Sequence, residues 1–537
     1  MASLSFPVDS MTEPRAQWKS KMGFILAASG SAIGLGNIVM FSSNAYRYGG
    51  GAFYLPYFIA LFLVGIPVMI AEFGLGAYTK KSFPMAMRQA GGRVGEFAGW
   101  FAILNAGLIT MFYVTILGWV VGMLFRAIAM EDVSQGFAPG NNVWADLIRG
   151  WLPVGAVAIV WLLNILLVSK GTKTIELAVK IFVPLMWVAM VVLVVVGFFL
   201  PGGFDGMQNL FTPEPSVLVN PDVWRGATSQ MFFTLSLGFG VMTAYASYLP
   251  DRSDHSHNAI TTSLLNCGFE WIAGVAVFAM LFAYSQLPAS GTLGMMFTVV
   301  PSGIAALPFA VKIFGIAFFS LLLIAGLTSS ISLVEALVAS LQDKFRMPRG
   351  RTLAICAVVG FLGSALFALP MVVQIPNGSA TPDSAPIGLM LLDFMDHWAF
   401  GYGLIIVGLI ECLVIGWGIG AGNLRKFINQ RSRFQLGVWF EVLLKFVLPL
   451  LLTLLLTVSI MDQDIIPKKV YGTGITTAHG SGLLNALVEW SPKIILCVWI
   501  FGCGLGAWLL SRAPAEDQDE GAVDEEVSEI WEEGGLQ

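Results

Sequence analysis

The stretch GSAIGLGN, residues 30–37, interrupts an apolar segment that is long enough to cross a lipid bilayer. A second stretch, TLSLGFG at residues 234–240, interrupts another such segment near the middle of the chain. Glycine weakens a helix, and small polar residues offer oxygen atoms in place of the lost backbone hydrogen bonds. Irregular backbone at membrane depth is tolerated only where it is buried in protein or lines a cavity. Matched breaks in two halves of a chain therefore predict the substrate and ion site of a transporter.

The composition is that of a membrane protein. Of the 537 residues, 56% are hydrophobic and 12% are charged, whereas about a quarter of the residues in a soluble domain are charged. The five cysteines all lie in apolar stretches, which indicates buried thiols rather than a disulfide framework or a metal site. Residues 1–18 are polar, so we expect the first apolar segment to act as its own insertion signal.

The chain contains twelve apolar segments if each crossing takes roughly 20 residues. Their predicted bounds are 17–46, 51–79, 96–129, 152–169, 174–199, 224–249, 257–286, 307–341, 350–371, 397–421, 436–461 and 491–512. The first and sixth segments carry the two breaks, and five segments starting at each would run in opposite directions. We therefore expect an all-α polytopic membrane protein with twelve transmembrane helices and a 5+5 inverted repeat.

Basic residues are concentrated in alternate loops. They precede the first segment and follow the second, fourth, eighth and tenth. The positive-inside rule then predicts a multi-pass protein of the cell (inner) membrane with both termini in the cytoplasm. We expect a cytoplasmic tail at 1–14, a single transporter domain at 15–512, and an acidic, disordered cytoplasmic tail at 513–537.

Polar side chains occur inside several predicted spans, where they are energetically expensive and usually face a cavity or a partner. Asn37 ends the first break, Tyr113 lies in the third span, and Asn266 and Glu270 share one face of the seventh. The eighth span carries AGLTSS at residues 325–330. Carbonyls, hydroxyls and amides are hard oxygen ligands, so these segments hold atoms suited to Na⁺. Packing seams and simple helix kinks are the alternative interpretations.

At these residues the chain resembles the neurotransmitter:sodium symporter family, closest to its bacterial amino-acid transporters. The similarity runs from about Arg15 to the end of the twelfth span and is strongest at 18–53, 230–248 and 325–330. It implies the leucine-transporter fold and sodium-coupled import of a neutral, hydrophobic amino acid by alternating access. The implied partners are sodium ions, a small amino acid and the lipid bilayer, with no nucleic acid, and the chain is not expected to be an enzyme.

The resemblance also implies two sodium sites. The first combines the substrate's own carboxylate with oxygens of Ala32, Asn37, Thr234 and Asn266. The second combines carbonyls and hydroxyls of Gly30, Ile33, Ala325, Thr328 and Ser329. A bound carboxylate that completes an ion's shell would couple substrate binding to sodium binding.

The implied substrate site has no charged side chain, which favours a neutral and largely apolar substrate. Amine-transporting relatives have an aspartate where this chain has Gly34, so space is left here for a substrate carboxylate. The residues implied in substrate binding are Ser31, Ala32, Gly34, Gly36, Ile109, Tyr113, Phe233, Thr234, Ser236, Phe239, Ser330 and Leu333.

Glu270 replaces a serine found in chloride-dependent relatives, which hold the anion with residues corresponding to Tyr57, Gln230 and Thr234. A fixed carboxylate supplies the same negative charge beside the first sodium. The resemblance therefore predicts chloride-independent transport, with Glu270 as a candidate proton site on the empty return step.

The family's cytoplasmic gate, an arginine–aspartate pair, is present as Arg15 and Asp343 with Tyr248 in support. Phe239 and Tyr113 are implied as the inner lid of the outer gate.

The outer ion pair departs from the family pattern. Its aspartate corresponds to Asp396, but Met40 stands where the arginine is expected. Three alternatives stay open. Arg47 could take the place of the missing arginine, the outer gate could close by apolar packing of Met40, or Asp396 could contact a cationic part of the substrate. The departure also leaves open another zwitterion, such as a betaine, a small amino acid or a derivative. A non-transporting membrane sensor or binding protein is the alternative from another class, and the acidic tail is its only support.

Overall fold

A computed structural model describes residues 17–141, 143–283, 291–374, 384–461, 471, 476–477 and 483–514. Almost all of these residues are helical. Within the described ranges, nine helices are long and apolar enough to cross a membrane. They are Gly51–Thr79, Phe83–Ala129, Thr172–Phe199, His255–Ala283, Val311–Phe345, Arg349–Phe367, Ile387–Asn429, Val438–Ile460 and Asn485–Arg512.

Three further segments complete the predicted set of twelve. The first span is the bent pair Lys21–Ala32 and Gly36–Arg47, whose axes differ by 56°. The fourth is Leu152–Val168, a helix of 17 residues. The sixth consists of Pro221–Thr234 and Val241–Ser247, with a non-helical stretch between them. The predicted all-α polytopic fold with broken first and sixth helices is therefore confirmed.

Several helices extend beyond the predicted apolar segments. A helix that begins at Phe83 precedes the third span and is separated from it by non-helical backbone at Gly91 and Gly92, the latter with a φ of 61°. The tenth span begins at Ile387 rather than 397 and is followed, after Gly420 with its φ of 85°, by the helix Ala421–Asn429. The twelfth begins at Asn485 rather than 491. The predictions ended spans at polar residues, but a helix continues through polar positions wherever their side chains reach water or protein.

The helix packing follows the inverted repeat. The first span packs against the fifth, and the sixth packs against the tenth in the same way. The first also contacts the seventh, as the sixth contacts the second, while the third and eighth pack on each other. The two broken spans therefore occupy equivalent places in the two halves.

Short elements occupy the loops that join odd to even spans. The sheet has Val372–Gln374 between Ser384–Pro386 and Thr476–Thr477, both antiparallel to it, with Val373 opposite Ala385 and Thr477. The helices are Val133–Gly136, Val143–Ile148, Gly203–Phe211, Pro215–Val219 and Thr292–Ala305. Because of their place in the chain, these elements cover the membrane face opposite to the one that carries residue 17.

Candidate functional site

The first break frees carbonyl oxygens at the end of the first half-helix. Ile33 has φ −73° and ψ 100°, so the helix does not continue through it. The Ser31 carbonyl accepts hydrogen bonds from Ser236 Oγ at 3.1 Å and Ser329 Oγ at 2.8 Å. The Ile33 carbonyl lies 3.4 Å from Thr328 Oγ1. Hydroxyl groups of the sixth and eighth spans therefore meet the oxygens that the break leaves without helical partners.

The sixth break is a run of left-handed backbone. Ser236, Gly238 and Gly240 have φ values of 53°, 75° and 70°. Glycine adopts this conformation freely, whereas it costs a residue with a side chain, such as Ser236, roughly 1–2 kcal/mol. The Gly238 N–H donates to Glu72 Oε1 at 2.9 Å. A buried carboxyl group on the second span therefore binds backbone that has left the helix.

The predicted ligands of the first sodium site lie together. Asn37 Nδ2 donates to Asn266 Oδ1 at 2.8 Å and to Thr234 Oγ1 at 3.1 Å. Asn266 Nδ2 donates to the same hydroxyl at 2.8 Å. All three side chains are buried. The cluster supplies uncharged hard oxygens suited to an alkali cation, provided that the amides turn their oxygens towards the ion.

Glu270 lies beside this cluster and is fully buried. Its Oε1 accepts hydrogen bonds from Gln230 Nε2 at 2.6 Å and from Thr234 Oγ1 at 2.7 Å, and its Oε2 accepts one from the Tyr57 hydroxyl. The structure therefore brings together all the residues that the sequence placed around this carboxyl group. Three donors aimed at one group are the arrangement expected for a carboxylate.

The predicted second sodium site also assembles, between the first and eighth spans. Thr328 Oγ1 lies 2.8 Å from the Ala325 carbonyl and 3.4 Å from the Ile33 carbonyl. Ser329 Oγ is 3.4 Å from the same Ala325 oxygen. A Cβ added to Gly30 would lie 3.7 Å from Thr328 Cβ, so this glycine also borders the group. These oxygens again carry no formal charge, which suits a monovalent cation.

A closed cavity of about 20 Å³ lies between the two breaks, and such a volume holds one or two water molecules. Its wall combines backbone of the breaks with apolar and hydroxyl side chains. The lining residues are Ser31, Ala32, Gly34, Asn37, Ile109, Tyr113, Phe233, Ser236, Phe239, Ser329 and Leu333. Nine of the twelve predicted substrate residues are among them.

Gly34 has no side chain, and this lets the hydroxyl groups of Tyr113 and Ser329 lie close to its backbone at the cavity wall. A Cβ at this position would lie 2.9 Å from the Tyr113 hydroxyl and 2.7 Å from Ser329 Oγ. The Leu35 N–H donates to the Tyr113 hydroxyl at 3.4 Å. Any side chain at residue 34 would therefore occupy the space in front of this tyrosine.

Three predicted substrate residues do not line the cavity. Gly36 lies behind the Phe233 ring, and a Cβ there would be 2.8 Å from Phe233 Cδ1. Thr234 faces the amide cluster instead. Ser330 does not line the cavity, because its hydroxyl donates to Asn164 Oδ1 at 2.8 Å. Adjacent residues on a helix point about 100° apart, so Ser329 rather than Ser330 reaches the cavity.

The membrane face that carries residue 17 is closed beneath this cavity. Trp18 is 3% exposed, and its Nε1 donates to the Tyr245 carbonyl at 2.8 Å. Asp343 Oδ2 accepts a hydrogen bond from the Ser82 N–H at 2.6 Å. Arg15, the predicted partner of Asp343, lies outside the described residues.

Tyr248, the predicted support of the cytoplasmic gate, contacts a further buried carboxyl group. Its hydroxyl donates to Glu335 Oε1 at 3.0 Å, a partner that the sequence did not indicate. Glu335 in turn forms an ion pair with Arg349, whose NH1 also donates to Gln342 Oε1 at 3.1 Å. The sixth, eighth and ninth spans are thus joined by a buried charged network that the sequence analysis missed.

Aromatic rings cover the opposite side of the cavity. The rings of Phe233 and Phe400 are 4.8 Å apart, edge to face. Within the described ranges no lysine or arginine pairs with Asp396. Arg47 is exposed and lies 5.4 Å from the ring of Tyr48. The structure therefore does not support Arg47 as the replacement for the arginine that Met40 displaces.

Two further functional candidates were overlooked. Glu72 and Glu411 are fully buried carboxyl groups in the second and tenth spans. Both interrupt apolar runs, IPVMIAEFGLG and LIIVGLIECLVIG, so the same signal that identified Glu270 was present for them. By contrast, the described residues contain no group of three or more His, Cys, Asp or Glu side chains that could hold a metal ion.

Comparison with known proteins agrees with this geometry. The family model described as the sodium:neurotransmitter symporter family matches residues 15–146 and 147–500. An uncharacterized sodium-dependent transporter of Methanocaldococcus jannaschii is 39% identical over 498 residues, which cover 90% of this chain and 97% of that protein. The sodium- and chloride-dependent GABA transporter 2 of Bos taurus is 28% identical over 472 residues, covering 78% and 76%.

A solved structure shares the fold. The crystal structure of MhsT in complex with L-phenylalanine superposes with a TM-score of 0.71 at 32% sequence identity, and covers 83% of this chain and 99% of MhsT. The family consists of sodium-using membrane transporters rather than enzymes. By the extent of the family match and by its relatives, this chain belongs to the sodium:neurotransmitter symporter family.

Proposed function

We propose that the protein imports a neutral, hydrophobic amino acid together with sodium by alternating access. The observation that carries this proposal is the closed cavity between two broken spans, flanked by two groups of uncharged oxygens. Among the described residues of its wall, no side chain is ionised at neutral pH. A buried site of this kind suits a ligand whose own charges are met by backbone dipoles.

The two charged ends of an amino acid match two kinds of group at the breaks. The half-helix that begins at Gly36 directs its N-terminus towards the cavity, and helix N-termini favour carboxylates. The Tyr113 hydroxyl accepts the Leu35 N–H and lies at the cavity wall, where it could donate its proton to a substrate oxygen. The substrate ammonium is assigned to carbonyls at Ala32, Phe233 and Thr234 and to the Ser236 hydroxyl.

The remainder of the wall favours an apolar side chain. The apolar part of the wall consists of Ile109, Phe233, Phe239 and Leu333. Burial of apolar surface against it is worth roughly 25 cal/mol per Å². MhsT, whose crystal structure contains L-phenylalanine, is a relative with a similar fold. The cavity of about 20 Å³ has room for one or two water molecules, so substrate entry requires its walls to move apart.

Sodium is proposed as a co-substrate at two positions. One ion binds among Asn37, Thr234 and Asn266, where the substrate carboxylate would complete its shell. The other binds the hydroxyls of Thr328 and Ser329 with the break carbonyls of the first span. Since the first ion and the carboxylate attract each other at contact distance, each raises the affinity of the other.

Transport is proposed to be independent of chloride. Glu270 is fully buried, and its Oε1 lies 2.7 Å from the Thr234 hydroxyl that would bind sodium. A carboxylate at this position balances the ion's charge without a mobile anion. The GABA transporter is, by its name, chloride-dependent, so this property would separate the chain from that relative.

The orientation is also a proposal. The excess of lysine and arginine in alternate loops supports an inner-membrane protein with both termini in the cytoplasm. Import then requires the site to open first on the face that carries Phe400, and afterwards on the face that carries Trp18.

The test is a thermal-unfolding screen of the purified protein against amino acids and related zwitterions, in sodium and in potassium. A ligand that binds only the folded state raises its stability by mass action. We expect a shift with hydrophobic amino acids in sodium only, lost in Asn266→Leu and retained in Asn164→Leu. Asn164 is a matched control because it is equally buried but contacts Ser330.

The alternatives predict other outcomes. If only betaines or cationic compounds raise the unfolding temperature, the substrate belongs to those classes and is not a hydrophobic amino acid. Ligand binding without uptake into proteoliposomes would indicate a sensor. Loss of most uptake when gluconate replaces chloride would overturn chloride independence.

A further inference from the structure

A cleft of about 400 Å³ opens on the membrane face that carries residue 17. Its walls come from the start of the first span, the loop before the seventh span and the loop after the tenth. Four cationic side chains line it, Lys21, Arg252, Arg431 and Arg433, against one acidic residue, Asp254. The cleft lies outside the proposed transport site.

The walls of the cleft are held by specific hydrogen bonds. Ser20, which caps the first helix, donates to Glu176 Oε1 at 2.9 Å. Ser256 Oγ donates to the Phe434 carbonyl at 2.8 Å, and this joins the two loops. The helix start and the two loops are therefore held in place by contacts with one another and with the rest of the fold.

Asp254 is already engaged within this framework. Its two carboxylate oxygens accept hydrogen bonds from the N–H groups of Arg433 and His257, both at 3.1 Å. Burial raises the pKa of Asp254, but these N–H groups outweigh it and hold the pKa below its ordinary value. The carboxylate therefore serves the loop backbone and does not neutralise the cationic side chains.

The four cations form no ion pair within the described residues. All four side chains are exposed, and they surround one concave space. Asp251, on the same loop, lies near Arg431 but pairs with Lys80 at 3.0 Å. The four positive charges lining the cleft therefore exceed the one carboxylate among them and create a potential that attracts anions, which a concave surface focuses. An anionic occupant that inserts acidic side chains into this space is expected.

The sequence contains such an occupant. Residues 515–537 include ten aspartates and glutamates and no lysine or arginine. They follow the twelfth span, which ends at Arg512, and twelve crossings return the chain to the face from which it started. A chain of this length reaches up to roughly 75 Å when extended. The segment is therefore tethered on the correct face and within reach of the cleft.

We propose that the acidic segment 515–537 docks in the cleft formed by Lys21, Arg252, Arg431 and Arg433. Docking would join the start of the first span to the loops beside the sixth and tenth spans. This inference does not rest on the transported substrate, and it is tested by binding alone.

The experiment uses protein truncated after Pro514, in nanodiscs of neutral phosphatidylcholine, and a fluorescent peptide of residues 515–537. We expect binding that weakens at least tenfold between 0.05 and about 0.3 M NaCl, because exposed ion pairs are screened by salt. The variant Arg252→Gln/Arg431→Gln/Arg433→Gln should bind at least tenfold more weakly. The matched control, Lys170→Gln/Lys173→Gln/Arg351→Gln, removes three exposed cations from the same face outside the cleft and should change affinity less than threefold.

The full-length protein provides the intramolecular test. Its own tail, present at a high effective concentration, should weaken binding of the added peptide at least tenfold. Equal binding by truncated and full-length protein would refute docking in the intact chain, and equal losses in both triple variants would refute the cleft as its site. Displacement of the peptide by phosphatidylglycerol in the nanodisc, or by millimolar inorganic phosphate, would overturn the proposal in favour of a lipid or phosphate site. A peptide with all ten acids changed to amides should not bind, and this check does not depend on the folding of any variant.

Discussion

The substitution Glu270→Gln tests the role of the buried carboxylate. It keeps the size of the side chain and removes the negative charge beside the proposed first sodium. Thr234 Oγ1 is 2.7 Å from Glu270 Oε1, and an ion at about 2.4 Å from that hydroxyl, as for Ca²⁺ and oxygen, lies within about 5 Å of the carboxylate.

The magnitude follows from Coulomb's law. Two unit charges about 5 Å apart attract each other by about 3 kcal/mol at an effective dielectric constant of about 20. That energy corresponds to roughly a hundredfold in affinity. We therefore expect the sodium concentration for half-maximal substrate binding to rise roughly a hundredfold in the variant.

The assay is substrate binding and uptake in proteoliposomes as a function of sodium, with chloride or gluconate as the anion. Glu270→Ser should regain part of the lost activity in chloride, because the serine leaves room for an anion among Tyr57, Gln230 and Thr234. Glu411→Gln is the matched control, since it removes another buried carboxyl group with no described contact to the sodium ligands.

Glu270→Gln also places an amide N–H₂ among three donors, at a cost of about 1–3 kcal/mol in stability. Thermal unfolding without sodium measures that cost separately. A variant that folds and keeps its sodium affinity within threefold of wild type would refute the electrostatic reasoning.

Three further substitutions probe other parts of the structure. Gly34→Asp would place a carboxylate in front of the Tyr113 hydroxyl, so we expect amino-acid binding to weaken at least hundredfold by calorimetry. Thermal unfolding of the ligand-free variant measures separately the cost of burying the new side chain, and a folded variant that binds within threefold of wild type would contradict the prediction. Glu72→Leu leaves the Gly238 N–H unpaired in the interior, which should cost about 1–3 kcal/mol of unfolding free energy; Glu72→Gln keeps an acceptor and should lose less, and equal losses would contradict this role. Asp254 has a pKa below 3.8 when folded, so its ionised form stabilises the protein above that pH and the benefit disappears as the pH falls further. The difference in unfolding temperature between wild type and Asp254→Asn should therefore be constant from pH 5 to 8 and shrink below about pH 4; a constant difference down to pH 3 would contradict it.

Much of the candidate site could be predicted from the sequence. Asn37, Thr234 and Asn266 come from three different spans, yet the structure brings their side chains within hydrogen-bond distance of one another. The resemblance to a known family supplied this grouping, since Asn37 is 197 and 229 positions away from the other two and no local signal indicates their proximity. Glu270 was detectable by itself, because a carboxyl group in an apolar span requires partners.

The site differs from the expectation where two neighbouring residues compete for one direction. Ser329 and Ser330 have the same chemistry, and only the rotation of the eighth span decides that Ser329 faces the cavity while Ser330 faces Asn164. Tyr248 similarly reaches Glu335 because of how the sixth and eighth spans pack. Helix rotation is set by contacts along the whole helix and not by a motif of a few residues.

The sequence by itself determined that the chain spans a membrane about twelve times, with breaks in the first and sixth spans. The physical reason is that the bilayer core has a fixed thickness and contains no water. The length and apolarity of a segment therefore indicate a span, and helix-breaking residues within it indicate a break, without knowledge of tertiary contacts. Only the tertiary structure decided that Glu72 binds the backbone of Gly238, that Glu335 joins Tyr248 to Arg349, and where each helix really begins. These features depend on the distances and rotations between helices that are far apart in the chain, and packing of the whole bundle sets them.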